Sequence, residues 1–394
     1  MKGLLDHMLA CEASDLYITA GSPAVFRIDG VGYPAKNPLA PDEIETMADS
    51  LMTPAQQTEF RAKLEMNLAL ATEDGGRFRA NIFRQRGATG MVFRLVRTQI
   101  KTLKELNHPP ALAELMMQKR GLILVVGGTG SGKSTTLAAM IDHRNRTSSG
   151  HIITVEDPVE FIHNHQRCVV TQREVGIDTL SYHHALKNAL RQAPDLILIG
   201  EIRDAETMEH AITFAETGHL CVATLHANNA NQAIERVLNF FPPERAHEIR
   251  LQLALNLRAI VSQRLVPTTT GGRAAALEIM LDTPRVRDLI KRGEIEALKD
   301  AMEQGMGEGC KTFDGALFDL ILANKLDDAE ALKAADSPNN LRIRIERYRN
   351  KGMEAEQPTL RLAPPPAKLK PVAPPAAAST TSSKATGPNG AIRN

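Results

Sequence analysis

Apolar runs alternate with stretches of helical spacing through the middle of the chain. The runs LILVV, HIITV, LILIG and LCVATL lie at 122–126, 151–155, 196–200 and 220–225. Short apolar runs separated by helices are typical of parallel strands that are buried on both faces. We therefore predict an α/β domain with a parallel-core sheet over 119–350, in which the chain beyond Pro284 is mostly helical and includes the basic stretch RIRIERYRNK.

The first 100 residues follow a different pattern. The segments LYIT, AVFRIDG, RFRANIFRQ and GATGMVFRLV are typical of strands, and a helical stretch from Pro41 to Leu64 separates them. In RFRANIFRQ, apolar and polar side chains alternate, so one face should pack while the other presents Arg77 and Arg79. The pattern predicts a smaller α+β domain with an antiparallel sheet over 1–100, joined to the core by a linker over 101–118.

The last segment, 351–394, is rich in Pro, Ala, Ser and Thr. Such a composition cannot bury enough apolar surface to fold, so we expect a disordered tail. A flexible tether for a partner and a passive appendage are both open interpretations.

Charge and cysteine usage narrow the function classes. The chain has 47 Lys and Arg against 46 Asp and Glu, which argues against nucleic acid as a partner. Its four cysteines are scattered without a CxxC pair, so neither a zinc ribbon nor a disulfide framework is indicated. No apolar run reaches the length of about 18 residues that a membrane span needs, and charged residues interrupt the N-terminus. We expect a cytoplasmic protein whose membrane association is peripheral.

The first apolar run of the core opens directly into the sequence GGTGSGKSTT. The spacing Gly127-x4-Gly132-Lys133-Ser134 between a strand and a helix is that of a phosphate-binding loop. Glycines let successive N–H groups turn toward one oxyanion, Lys133 adds a charge for the outer phosphates, and Ser134 offers a hydroxyl to Mg2+. A glycine-rich turn that binds nothing is the alternative. The predicted nucleotide-binding residues are Gly127, Gly128, Thr129, Gly130, Ser131, Gly132, Lys133, Ser134 and Thr135.

Acidic residues follow two other predicted strands. Glu201 directly follows the run 196–200, at the strand edge where ligands of open α/β sheets bind. Glu156, Asp157 and Glu160 surround Pro158 after the run 151–155, and such crowded carboxylates suggest a site beside Mg2+. An exposed acid in a turn, and a solvated acidic turn, remain the respective alternatives.

Two histidines bracket the run 220–225. The odd spacing of His219 and His226 places them on opposite faces of an extended strand, so they cannot form a simple metal pair. A structural and a functional role are both open for each.

In chain order, the segments GGTGSGKSTT, IITVEDPVEF, DLILIGEIRD and ETGHLCVATLHANN resemble the Walker A, aspartate, Walker B and histidine boxes of the type II/type IV secretion ATPase superfamily. From about Ala13 to Arg349 the chain resembles the twitching-motility retraction ATPases, the PilT/PilU family. Segments such as LRQAPDLILIGEIRDAETMEHAI and NFFPPERAHEIRLQLALNLRAIVSQRLVP are more similar to the PilU branch than to the PilT branch.

The resemblance implies an ATPase that uses ATP and Mg2+, with a PAS-like N-terminal domain before a RecA-like domain. It implies that Glu160 activates water and Glu156 supports it. Glu201 would be the Walker B acid and would hold Mg2+ together with Ser134, partly through water. It also implies that His219 and His226 couple nucleotide state to subunit contacts near the γ-phosphate. Arginines of the N-terminal sheet would reach the phosphates, although a merely solvated basic face is the alternative; the candidates are Arg77, Arg79 and Arg94.

The implied assembly is a homo-hexamer that is peripheral at the inner membrane, acts on a pilus platform protein and powers pilus retraction. An accessory protein that docks on a PilT-type paralogue is the second hypothesis. The four-cysteine zinc insertion of extension ATPases is missing from this sequence, which disfavours an assembly ATPase for secretion, and DNA translocation has no support. The segment PRVRDLIKRG stands where PilT-type chains carry an AIRNLIRE-like motif, so retraction without the paralogue is in question.

Overall fold

The computed structural model describes residues 1–28, 30–72, 76–96 and 99–356, with side chains up to residue 350. The predicted tail begins inside the last helix, and its residues 357–394 lie outside the described part of the chain. Residues Met1–Ile345 form one compact unit.

The N-terminal region is an antiparallel sheet with helices, as the alternating pattern predicts. Its elements are α1 (Lys2–Ala10), β1 (Asp15–Thr19), β2 (Pro23–Ile28), β3 (Val31–Pro38), α2 (Pro41–Leu51), α3 (Pro54–Lys63), β4 (Glu65–Ala71), β5 (Arg77–Gln85) and β6 (Ala88–Val96). The strand order is β3-β2-β1-β6-β5-β4. On β5, Phe78, Ala80 and Ile82 are buried as expected. The predicted helical stretch breaks in two because Thr53 caps a second helix that begins at Pro54.

The second region is built on a sheet of seven strands. Its first elements are α4 (Ala111–Met116), β7 (Gly121–Val126), α5 (Lys133–Thr147), β8 (Gly150–Glu156), β9 (Cys168–Glu174), α6 (Tyr182–Ala189), β10 (Leu196–Ile199), α7 (Ala205–Glu216) and β11 (Leu220–Leu225). The chain continues through α8 (Ala230–Asn239), α9 (Ala246–Asn256), β12 (Leu257–Pro267) and β13 (Arg273–Leu281). The strand order is β13-β12-β7-β11-β10-β8-β9, and every pairing is parallel except that of β12 with β13.

This sheet confirms the predicted α/β fold and positions the site. All residues of β7, β10 and β11 are buried, which explains their uninterrupted apolar sequences. Because the strands are parallel, the segments that follow β7, β8, β10 and β11 meet at one edge of the sheet. The phosphate-binding loop and the acids predicted to surround it lie in these segments.

Helices follow the sheet, as the sequence beyond Pro284 predicts. They are α10 (Pro284–Arg292), α11 (Leu298–Gln304), α12 (Phe313–Leu322), α13 (Asp328–Ala334) and α14 (Pro338–Glu356). Leu341 and Ile345 anchor the start of α14 in an apolar cluster with Phe313 and Leu317. Among the described helices, none is long and apolar enough to cross a membrane.

Candidate nucleotide site

The loop between β7 and α5 depends on glycine at defined positions. Gly127, Gly130 and Gly132 have φ angles of 153°, 75° and 88°, which other residues rarely adopt. A Cβ at Gly127 would lie 2.6 Å from the backbone oxygen of Gln263 on β12, whereas one at Gly128 would meet nothing within 4 Å. The first glycine therefore packs the loop against the sheet.

Lys133 begins α5 and folds back over the loop. Its Nζ donates to the carbonyl oxygens of Gly127 at 2.7 Å and of Gly128 at 2.9 Å. Burial lowers the pKa of the Lys133 ammonium, and the nearby carboxylates of Glu201 and Glu160 act in the opposite direction. The lysine thus lies between the glycine loop and two of the predicted acids.

A cavity of about 240 Å3 joins the loop to the acidic segments. Predicted site residues line both the side of this cavity that faces the loop and the side that faces the strand ends. Those that line it are Thr129, Gly130, Lys133, Ser134, Glu156, Glu160, Glu201 and His226. Gly132 and Thr135 face a second cavity, of about 540 Å3, which also borders His108. Ser131 is buried against Gly127 inside the loop.

Glu201 follows β10 and is held from two sides. Its Oε1 lies 2.9 Å from Nε2 of His226, which follows the adjacent strand β11. The Nε of Arg203 donates to Oε2 at 2.7 Å, and the same guanidinium lies 3.4 Å from Asp157. Arg203 was not among the predicted residues, although its place two positions after the predicted Walker B acid was a usable signal. It links that acid to the aspartate box.

Glu156 ends β8 as a half-buried residue. The Thr154 hydroxyl donates to its Oε1 at 2.6 Å. Burial raises the pKa of Glu156 to about 7, although hydrogen bonds from Thr154 and Gln172 act against this shift. A carboxyl group in this setting holds a proton near neutral pH more readily than one with an ordinary pKa.

Strand β9 holds the acidic turn in place, and sequence reasoning missed this role. Gln172 donates from Nε2 to the carbonyl of Phe161 at 2.9 Å, and its Oε1 accepts the N–H of His163 at 2.8 Å. Two residues further on, Glu174 accepts the N–H of Val159 at 3.0 Å. Residues two apart lie on one face of a strand. The signal for this role in the sequence was therefore that Gln172 and Glu174 are two positions apart.

The N-terminal arginines lie away from the phosphate loop within this chain, and their contact with the phosphates stays a prediction. Arg79 forms an ion pair with Glu174 at 2.8 Å, and Arg94 forms one with Asp15 at 3.1 Å. Arg77 is exposed at the start of β5. Arg79 on β5 and Arg94 on β6 lie directly opposite each other in the sheet. The carboxylate beside each guanidinium offsets the repulsion between the two positive charges. None of the three lines the loop cavity in the described part of the chain.

His219 and His226 lie at opposite ends of β11, and the predicted coupling of His219 to subunit contacts stays a prediction. His219 precedes β11, whereas His226 follows it, and β11 runs parallel to β7 with Leu220 opposite Gly121. A strand of this length places the two histidines about 20 Å apart along the sheet. Within one chain, His226 therefore lies at the phosphate loop, and His219 lies at the opposite edge of the sheet. The polarity of parallel strands could have predicted this difference.

The donor set suits a hard divalent cation. Ser134 offers a hydroxyl oxygen and Glu201 a carboxylate, which are ligand types that Mg2+ takes beside phosphate and water oxygens. Among the described residues, no group of three or more His, Cys, Asp or Glu side chains could hold a metal by itself. A cation at this place would therefore depend on ligands from a bound nucleotide, as in other phosphate-binding loops.

Comparison with known proteins extends these observations. The family model described as "Type II/IV secretion system protein" matches residues 2–312. The type IV pilus ATPase PilU of Pseudomonas aeruginosa is 51% identical over 87% of this chain and 90% of its own. The type IV pilus retraction ATPase PilT of the same organism is 40% identical over 83% of this chain and 96% of its own.

A solved structure shares the fold. The crystal structure of the pilus retraction motor PilT with bound ADP superposes with a TM-score of 0.80 at 38% identity, covering 86% of this chain and 97% of that one. This likeness confirms the fold predicted from the resemblance, an N-terminal domain before a RecA-like ATPase domain. The chain belongs to the type II/IV secretion system protein family, with PilU- and PilT-type pilus ATPases among its relatives.

Proposed function

We propose that this chain hydrolyses ATP with Mg2+ at the loop cavity and that the energy powers or assists type IV pilus retraction. The observation that carries the proposal is the convergence of Lys133, Ser134, Glu160 and Glu201 on one cavity. Phosphoryl transfer to water needs a phosphate-binding cation, a metal-positioning acid and a group that orients water, and these residues offer all three. The similarity to PilU and PilT supports the biological process.

The site residues divide the work as follows. The loop N–H groups and Lys133 would bind the phosphates. Ser134 and Glu201 would hold Mg2+, and the ion would supply positive charge beside the phosphates. Glu160 orients and activates water, and Glu156 supports it from a half-buried position. His226 fixes the carboxylate of Glu201 through their 2.9 Å contact. The larger cavity behind Thr135 has room for the nucleoside.

The arginines of the N-terminal sheet are proposed to act only after a rearrangement. Arg79 stays paired with Glu174, so the arginines that would approach a phosphate are Arg77 and Arg94. Movement of the N-terminal domain, 1–100, about the linker 101–118 would supply that change and would make hydrolysis depend on domain closure. We propose that the working form is a homo-hexamer, peripheral at the inner membrane, that acts on the pilus platform protein.

A second candidate function is an accessory one, in which the chain docks on a PilT-type paralogue and strengthens that motor. Two observations favour it. Identity to PilU, at 51%, exceeds identity to PilT, at 40%. In addition, α10 carries PRVRDLIKRG in place of the AIRNLIRE-like motif.

A pilus retraction assay distinguishes the independent motor from the accessory function. Pilus retraction is followed in cells that carry the wild-type chain or Lys133→Ala, each with and without the PilT-type paralogue. Retraction by the wild-type chain alone, lost in Lys133→Ala, supports the independent motor. A requirement for the paralogue supports the accessory function. Wild-type behaviour of Lys133→Ala in every strain would contradict the independent motor, and retraction by the wild-type chain without the paralogue would contradict the accessory function.

A further inference from the structure

Glu174, the last residue of β9, joins the N-terminal sheet to the acidic turn. Its Oε1 accepts from Nε of Arg79 at 3.0 Å and lies 2.8 Å from that side chain's second terminal nitrogen, Nη2. Its Oε2 accepts the N–H of Val159 at 3.0 Å. Each carboxylate oxygen therefore has a separate partner, one on each side of the boundary between the two sheets.

Neighbouring groups hold the Glu174 carboxylate in one position. The side chain of Glu174 is only 8% exposed. Its carbonyl oxygen accepts from Asp178 at 2.8 Å, and its N–H donates to the Asp178 carboxylate at 2.9 Å. In the parallel pairing of β8 with β9, Glu174 lies opposite Glu156. A buried, charge-assisted contact of this kind contributes more than an exposed ion pair because water screens it less.

The turn that Glu174 holds carries the proposed water-activating acid. Val159 is the residue before Glu160, so the N–H of Val159 fixes the backbone from which the Glu160 side chain extends. Gln172 fixes the other end of the turn through Phe161 and His163. In the described part of the chain, the side-chain hydrogen bonds of Gln172 go to Glu156, Phe161 and His163, whereas Glu174 contacts Arg79 of the N-terminal sheet.

We propose that Glu174 is a positioning residue for the proposed hydrolysis: it holds the Glu160 turn through Val159, and its ion pair with Arg79 makes the position of that turn depend on the N-terminal domain. The inference rests on the proposed function, since it assigns a task in the same site. Loss of the Arg79 contact leaves a buried carboxylate without its cation, which weakens the hold on the turn.

The two contacts can be separated by substitution. Glu174→Gln keeps an oxygen for the Val159 N–H but loses the ion pair, whereas Glu174→Ala loses both. We expect Glu174→Gln to lower kcat about threefold to tenfold and Glu174→Ala about 30-fold or more, with KM for ATP changed less than about twofold. In an Arg79→Gln background, Glu174→Gln should add less than about twofold, while Glu174→Ala should still lower kcat.

A second readout does not need turnover. Hydrogen exchange of the segment 156–163 should be faster in Glu174→Ala than in wild type, and nearer to wild type in Glu174→Gln. Glu45→Gln is the matched control, because it breaks an ion pair between α2 and Arg84 of β5 within the N-terminal domain and should change neither readout.

Unchanged exchange in Glu174→Ala, or a Glu174→Gln effect on kcat that is as large with Arg79→Gln as without it, would overturn the inference. An unchanged or increased kcat in Glu174→Gln would also overturn it. A wild-type protein without turnover would contradict the proposed function alone, and the exchange comparison would then decide the positioning role of Glu174.

Discussion

The imidazole Nε2 of His226 lies 2.9 Å from Oε1 of Glu201, and the two residues follow adjacent parallel strands, β11 and β10. Because both strands end at the phosphate loop, this contact orients the acid toward the cavity that Lys133 and Ser134 also line. The same strand carries His219 at its other end. The pair of histidines therefore offers an internal comparison of position along one strand.

His226→Asn should lower kcat for ATP about tenfold and change KM little, because the acid loses an orienting partner worth one charge-assisted hydrogen bond. His219→Asn should change kcat less than about twofold, because its side chain lies at the opposite edge of the sheet. Steady-state ATP turnover measures both. Equal losses in the two variants would contradict the placement of His219 outside the site.

The two acids of the turn should respond differently to neutralisation. Glu160→Gln should lower kcat at least about 100-fold, because it removes the proposed base. Glu156→Gln should cost less than about tenfold, since burial raises the pKa of Glu156 to about 7 and a neutral amide resembles its protonated form. Turnover at pH 7 with ATP binding measured in parallel checks this order. A larger loss in Glu156→Gln would assign the base to that residue instead.

Two neighbouring glycines test how the loop packs. Gly127→Ala should lower the free energy of unfolding by about 2 kcal/mol or more, because the new Cβ would meet the backbone oxygen of Gln263 and the φ of 153° disfavours other residues. Gly128→Ala is the control, since its Cβ meets nothing within 4 Å. Denaturant unfolding of the nucleotide-free proteins compares the two. Equal stability in both variants would contradict the close approach at Gly127.

Glu278 on β13 gives a pH dependence outside the loop. It accepts the N–H of Ala230 at 2.8 Å and the hydroxyl of Ser262 at 3.0 Å, while burial raises its pKa to about 7. A carboxyl group whose pKa is raised in the folded state contributes stability that is fully present below its unfolded pKa and is lost as pH rises through about 7.

The unfolding free energy of Glu278→Gln, minus that of wild type, should therefore increase by about 2–3 kcal/mol as the pH rises from 5 to 8. Both proteins are measured at equal concentration. The amide cannot ionise, so its stability should not share that loss. A difference between variant and wild type that stays constant over this range would show that Glu278 does not titrate in it.

The local parts of the site could be predicted from sequence because each depends on neighbours in the chain. The apolar run 122–126 followed by glycines at fixed spacing predicts strand, loop and helix together. The buried strands β7, β8, β10 and β11 were predicted for the same reason. The strands β3 and β9 mix polar and apolar residues, so periodicity did not reveal them.

Contacts between distant segments could not be read in this way. Arg79 and Glu174 come together only when two sheets pack, and nothing in the alternating pattern of β5 indicates which carboxylate it would meet. The pattern predicted that Arg79 would face outward from the N-terminal core, but not its partner. By contrast, the side of the sheet on which His219 lies followed from strand direction and could have been inferred.

We propose above that ATP is hydrolysed where the phosphate-binding loop lies beside the acids that follow β8 and β10. The most direct test of this proposal is Mg2+-dependent ATP turnover by the purified wild-type chain and by Glu201→Gln, with binding of a fluorescent ATP analogue measured on the same samples. We expect turnover in wild type, at least about 100-fold less in Glu201→Gln, and analogue binding in both. Equal turnover in the two proteins, or none in a wild-type protein that binds the analogue, would contradict the proposal.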